Sequence, residues 1–248
     1  MLYDIRNLQK ERRAPDRTFV LEVPVFRVSA GEFVAIQGFS GCGKSTLLDL
    51  LGLISMPSKA DKFEVGFSGV AARTAPGAAM YPVDWANEGV VARIRREKLG
   101  YILQTGGLLP YLSVYENARL ARALAGLPGR GAANEAIFEL ATRLGIERLL
   151  HAAPARLSGG QRQRAALLRA LAHRPSVVLA DEPTASVDRP TAVQIVSLLS
   201  ELAGEAESAV IMVTHDHALI RPVAQRVYQF ELHAHEGTTH ARCIEHVA

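Results

Sequence analysis

Apolar positions alternate loosely at the start of the chain, with Leu2, Tyr3 and Ile5 followed by Phe19, Leu21, Val23 and Val25. This predicts a β-hairpin or two edge strands around a polar turn from Lys10 to Arg17. Phe33 to Ile36 reads as a short buried strand that runs into a glycine-rich loop and then into Leu47, Leu48, Leu50 and Leu51, which are spaced as in a helix. From 52 to 99 the pattern is weak. Phe63 to Val70 suits a strand, Ala71 to Pro82 is small and turn-rich, and Glu88 to Lys98 has helical character. A small β-subdomain with a mobile insertion is expected there, the insertion running from Ala75 to Asn87 and holding Trp85, either a partner contact or a tolerated loop.

Ser113-Val114-Tyr115-Glu116 has the Ser-x-x-Glu form of a capping box, opening a helix to about Leu124, and Ala132 to Leu144 continues the helical pattern. A helix follows Gly159-Gly160 to about His173, where Pro175 stops it. Val177 to Ala180 is a buried strand, a helix follows Asp188, and Ala209 to Thr214 is a further strand. Alternating β and α elements predict an α/β fold with a mainly parallel sheet. The segment from His233 onward is polar and His-rich and reads as peripheral, its His233, His235, His240, Cys243 and His246 solvated and not metal-binding.

Composition narrows the class. A chain of 248 residues, 48% hydrophobic, is long enough to bury one large α/β core. Charge is near balance, 28 Lys and Arg against 25 Asp and Glu, so no nucleic-acid partner is expected. The arginines at 93, 95 and 96 and at 162, 164 and 169 read as solvated helix faces. Two widely spaced cysteines and no leader-like start suit a reducing cytosol. The apolar runs are far below the ~20 residues that cross a bilayer, so membrane association would go through a partner.

The chemistry concentrates in few places. Gly38 to Ser45 has the form Gly-x4-Gly-Lys-Ser between a buried strand and an apolar helix. In that context the loop from Gly38 through Ser40, Gly41, Cys42 and Gly43 turns backbone N–H groups onto phosphates, Lys44 reaches the outer phosphates, Ser45 binds Mg²⁺, and Thr46 continues the helix N-terminus. Cys42 contributes its N–H, and its thiol is passive. The strand Val177 to Ala180 ends in Asp181-Glu182, which suits Asp181 to the metal and Glu182 to polarising the attacking water as general base.

Leu157-Ser158-Gly159-Gly160-Gln161, between the helical stretch and that strand, resembles the signature of the ABC ATPases. A serine and two glycines at a helix N-terminus make an anion site. A chain with two half-sites for one phosphate is completed by a second copy placed head to tail. The resemblance covers nearly the whole chain, since Gln104, Asp188 and His215 follow in the family's order. It implies an ABC-type P-loop ATPase with a RecA-like, mainly parallel core, a small antiparallel β-subdomain and an inserted helical subdomain. The implied divisions are 1–104 with 156–232 for the core, 105–155 for the helical part and 233–248 for a tail.

The resemblance further implies ATP and Mg²⁺ as ligands, with Gln104 sensing Mg²⁺ and meeting a membrane subunit. Asp188 would link the two sites of a homodimer, and His215 would hold the γ-phosphate and orient Glu182; the neighbouring His217 reads as structural. Catalysis would then rest on Glu182, His215 and Lys44, and the metal on Ser45, Gln104 and Asp181. Implied partners are a second ATPase subunit, an integral membrane permease and, through it, periplasmic components, at the cytoplasmic face of the inner membrane. The stretch from Ile94 to Gln104 and that from Ser113 to Asn117 resemble the subgroup serving lipoprotein release and macrolide export. A regulatory ABC module that scaffolds an envelope complex is the alternative. One family landmark is missing: where an aromatic normally stacks on adenine, this chain has Lys10-Glu11-Arg12-Arg13, of which Arg12 or Arg13 is the replacement to consider.

Overall fold

The computed structural model describes residues 1–15, 17–67, 80–128, 131–205, 208–235 and 238–246. In chain order the elements are β1 (Tyr3–Ala14), β2 (Arg17–Val28), β3 (Phe33–Gln37), α1 (Lys44–Leu51), β4 (Lys62–Val65), β5 (Tyr81–Pro82), α2 (Glu88–Lys98) and β6 (Leu99–Ile102). Then come α3 (Val114–Leu124), α4 (Ala132–Arg143), α5 (Gly159–Leu171), β7 (Val177–Asp181), α6 (Arg189–Glu205), β8 (Ala209–Val213), α7 (His217–Ile220), β9 (Arg226–His235) and β10 (Thr238–His246).

Among the described residues ten strands form one sheet in the order β5-β4-β1-β2-β10-β9-β3-β8-β7-β6. The half from β9 through β3, β8 and β7 to β6 is parallel, whereas β1, β2, β4 and β5 pair antiparallel. Strand alternation sorts the core into two layers. Val34 and Ile36 of β3, Val177 and Leu179 of β7, and Ile211 and Val213 of β8 join the cluster that includes α1. Their neighbours Phe33, Ala35, Val178, Ala180, Val210 and Met212 join the cluster with α5 and α6. Burial on both faces explains why these strands read as continuous apolar runs.

Three expectations change. The polar segment from Lys10 is not a turn: Lys10 to Ala14 pair with Leu21 to Arg17 in an unbroken register, because the β-prone strand opposite offers backbone partners to alternate residues along it. The segment from 233 is not peripheral. β10 runs parallel to β2 and antiparallel to β9 in the middle of the sheet, with Ala241 and Cys243 fully buried, their small side chains alternating with exposed Arg242 and His240. Nor are the arginine runs simply solvated. Arg95 donates to the Leu53 carbonyl, Arg164 to the Leu144 carbonyl, and Arg169 to the carbonyls of both Tyr101 and Gly107, which leaves only Arg96 and Arg162 of the six exposed.

Within the expected insertion, 75–79 lie outside the described residues, as do 68–70 of the strand predicted from Phe63. The described part is built into the subdomain: β5 pairs with β4, and Trp85 packs edge-on against Phe63 with ring centroids 5.2 Å apart. The capping box at Ser113 is formed, each partner bonding the other's backbone N–H.

Candidate functional site

β3 delivers the chain into the loop at Gly38, and α1 begins at Lys44, so the loop is stretched between a buried strand and a helix N-terminus. Gly43 holds φ at +106°, a conformation open to glycine, and a Cβ there would lie 2.8 Å from Phe19 Cζ. Inside the loop the Lys44 ammonium, 8% exposed, donates to the carbonyls of Gly38 and Phe39 at 2.8 Å each. Ser45 Oγ donates to Asp181 Oδ2 at 2.8 Å, joining the first turn of α1 to the end of β7. The Cys42 side chain is buried and burial pushes its thiol pKa up, so it is a packing group in this loop.

Burial raises the Asp181 carboxyl pKa, the hydrogen bond from Ser45 opposes that shift, and the charge of Glu182 reinforces it. A carboxylate that costs this much to ionise gains most from a cation, and the two oxygen donors Ser45 and Asp181 fit a hard cation such as Mg²⁺. Glu182 adopts φ +46°, an unusual conformation for a residue with a side chain, while its N–H donates to the Val213 carbonyl. Its carboxylate comes within 3.7 Å of His215 Nδ1, and His215 is 71% exposed. Asp216 caps α7 by accepting from Leu219 N–H and also meets Arg189. His217 is exposed and lines a cavity of about 570 Å³ together with His215, Glu182 and Lys44, so it is not the satisfied structural histidine that its sequence position suggests.

A cavity of about 670 Å³ gathers the loop residues Ser40, Gly41 and Gly43 to Thr46 with Asp181, Glu182 and Gln104. Gln104 opens a loop whose ends are held from α5: Arg169 donates to Tyr101 O at 2.9 Å and to Gly107 O at 2.8 Å. The buried Asn117 accepts from Leu109 N–H and donates to the carbonyls of Leu109, Leu112 and Ser113. The same cavity reaches Arg12, Arg17, Phe19 and Thr239. Phe19, Arg17 and Thr239 escaped the sequence reading, though the strand period already placed Phe19 on an inward face.

The structure does not bring Ser158, Gly159, Gly160 and Gln161 to this cavity. They open α5 with a capping box, Ser158 Oγ accepting from Gln161 N–H at 3.3 Å and Gln161 Oε1 accepting from Ser158 N–H at 3.0 Å. Beside them runs the segment to Asp188, where a Cβ added at Gly159 would stand 3.6 Å from the Ser186 carbonyl oxygen. Asp188 is exposed and accepts from Thr191 N–H at 2.8 Å at the start of α6; hydrogen bonding from the Thr191 side chain, reinforced by that backbone bond, holds its carboxyl pKa below the usual range.

The chain is similar to known proteins over most of its length. A family model described as ABC transporter matches residues 21–185. The lipoprotein-releasing system ATP-binding protein LolD of Legionella pneumophila (strain Paris) is 37% identical over 228 residues, covering 91% of either chain. Its counterpart from Idiomarina loihiensis is 39% identical, over 90% of this chain and 92% of that one. The macrolide export ATP-binding/permease protein MacB 1 of Yersinia pestis bv. Antiqua is 37% identical over 86% of this chain, which spans 30% of that longer protein. Among solved structures, the dimeric post-hydrolysis state of the ATP-binding cassette MJ0796 with ADP and Pi superposes with a TM-score of 0.79 at 29% identity, covering 96% of both chains.

Proposed function

This chain belongs to the ABC transporter family as an ATP-binding and ATP-hydrolysing subunit, and from that premise we propose how its residues divide the work and what the work is for. The observation that carries the proposal is the convergence of Ser45, Asp181, Glu182 and Gln104 on one cavity at the phosphate loop. Lys44 and the N–H groups of Gly38 to Thr46 bind the phosphates. Ser45 and Asp181, with Gln104, hold Mg²⁺, which neutralises phosphate charge when bound. Glu182 accepts a proton as water attacks the γ-phosphorus and the bond to the ADP oxygen breaks. His215 holds Glu182 in place and faces the γ-phosphate.

Ser158 to Gln161 lie outside their own chain's cavity, which supports a dimer in which each ATP sits between the phosphate loop of one copy and the signature of the other. Closing that dimer on ATP and reopening it on product release is the motion delivered to a membrane permease. The helical part, 105–155, moves against the core of 1–104 and 156–246, which includes β10, and the groove lined by Leu109, Leu120, Leu124 and Arg169 receives the permease. Among the described residues no helix is long and apolar enough to cross a membrane, which fits a subunit held by its partner at the cytoplasmic face of the inner membrane. The relatives point to export from, or lipoprotein release at, the cell envelope.

The test is co-expression with the membrane subunit. Co-purification, with ATPase activity that rises when the partner is present, is expected. An ATPase that neither binds nor answers to a permease would overturn the transport assignment.

A further inference from the structure

The cavity that starts at the phosphate loop has a second end that hydrolysis does not use. Phosphates fixed on α1 leave sugar and base to extend away from Lys44, toward the wall made by Arg12, Arg13, Arg17, Phe19 and Thr239. Three of these form a row. Arg12 on β1 is the cross-strand partner of Phe19 on β2, and Phe19 of Thr239 on β10, so the register sets all three on one face of the sheet.

Phe19, the middle member, packs down onto the loop, its Cζ 2.8 Å from where a Gly43 Cβ would stand, and it forms a floor. Arg12 stands beside it, 53% exposed, with one guanidinium nitrogen 3.7 Å from Asp49 Oδ2. Asp49 lies on α1 one turn beyond Ser45, and its Oδ1 accepts from the Tyr101 hydroxyl at 3.4 Å. Arg13 is turned aside to Glu11 at 2.7 Å. Asp49 and Glu11 are engaged with Arg12 and Arg13, and among the described residues that line this end of the cavity there is no carboxylate or amide; the neutral polar groups there are the hydroxyls of Thr18 and Thr239, which donate or accept alike.

We propose that Arg12, oriented by Asp49, is the nucleobase platform of this ATPase, and that the site takes guanine nearly as well as adenine. The inference rests on the ATPase reading above and adds which residue carries the base and what that residue cannot tell apart. A guanidinium plane stacks on any π-face. Discrimination of exocyclic groups needs a built hydrogen-bonding pair, because an unpaired polar group is what penalises the wrong base.

The experiment titrates the full chain carrying Glu182→Gln with ATP, GTP and inorganic tripolyphosphate by calorimetry, in Mg²⁺. ATP and GTP are expected to bind within about three-fold of each other, since no polar pair separates them. Arg12→Ala should weaken both nucleotides about five-fold, the scale of one cation–π contact, and leave tripolyphosphate unchanged. Arg12→Lys, which keeps charge and loses the plane, should match the alanine variant, and Arg12→Tyr should recover binding. Unchanged tripolyphosphate binding also reports an intact fold. A lysine variant equal to the parent, an alanine variant that loses tripolyphosphate as much as ATP, or an ATP preference of about a hundred-fold or more would overturn the platform. A parent that binds no nucleotide would overturn the ATPase reading and the platform with it.

Discussion

Ser45 Oγ donates to Asp181 Oδ2 across 136 residues of sequence at 2.8 Å. The contact exists because β3 and β7 flank β8 in a parallel sheet, so the loops at their C-terminal ends open on the same edge. Ligand sites of open parallel sheets lie at that edge. Two oxygens so placed are a ready pair for Mg²⁺. Asp181→Asn and Ser45→Ala should each lower Mg²⁺-supported turnover by on the order of a hundred-fold, within the several kcal/mol a bound cation contributes. Nucleotide binding without Mg²⁺ should stay near wild type. Turnover titrated against Mg²⁺ concentration reads the effect, and an unchanged Mg²⁺ requirement in Asp181→Asn would remove that residue from the metal site.

Glu182 pairs an uncommon backbone conformation, φ +46°, with a carboxylate 3.7 Å from His215. Strain of this kind costs about 1–3 kcal/mol and is retained where geometry matters more than stability. Glu182→Gln keeps size and hydrogen bonding and removes only the proton acceptor. Turnover should fall by about 10²–10⁴-fold, the range for a general base, while the ATP-bound dimer accumulates on size-exclusion chromatography. His215→Ala, which frees Glu182 without removing it, should fall less. Equal losses in the two variants would place His215 in the proton transfer itself.

Close approach of β6 to the C-terminal end of α5 depends on Gly100. A Cβ at that position would stand 2.4 Å from the Ala170 carbonyl oxygen and 2.9 Å from Pro175. Backbone cannot step aside as a flexible side chain can, so Gly100→Ala should cost about 1–3 kcal/mol. The denaturant midpoint at constant m-value measures it. Because β6 leads into Gln104, a variant that still folds should also show weakened stimulation by the permease, whereas undiminished stability would mean that strand and helix separate freely.

The parts legible in the sequence are those where local chemistry and context coincide. Gly38 to Ser45 needed a strand before it and a helix after it, and Ser113 with Glu116 announced a helix start that the structure forms. Lys10 to Arg13 misled because polar side chains say nothing about whether their backbone is paired. The ladder there is set by Thr18 to Leu21 opposite. β10 was hidden because its inward residues, Ala241 and Cys243, are small, so the alternation carries little hydrophobic contrast. Arg169 looked like a solvated helix charge, yet its work is tertiary: it ties Tyr101 and Gly107 on either side of Gln104. The base end of the cavity is assembled from β1, β2 and β10, and only the register joins Arg12, Phe19 and Thr239.

The buried His173 makes stability depend on pH. Its Nε2–H donates to the Leu99 carbonyl at 3.0 Å, and its Nδ1 has no hydrogen-bond partner among the described residues. Burial lowers its pKa from the ordinary value of 6.5; the Leu99 bond opposes that shift, and Arg122 and Arg169 add to it. The folded state therefore keeps the ring neutral while the unfolded chain takes up a proton near pH 6.5. The corresponding stability is full above the unfolded value and is lost as pH falls from there through the folded one. His173→Gln retains a donor for Leu99 and cannot titrate. Its stability at neutral pH should drop modestly, by about 1 kcal/mol for an imperfect buried hydrogen bond. Between pH 7.5 and 5 the wild type should lose more than the variant, at a slope of up to about 1.4 kcal/mol per pH unit. Denaturant midpoints of the two proteins across that range isolate the histidine, since every other titrating group is common to both. Parallel curves would mean that His173 charges without penalty inside the fold, against its burial beside two arginines.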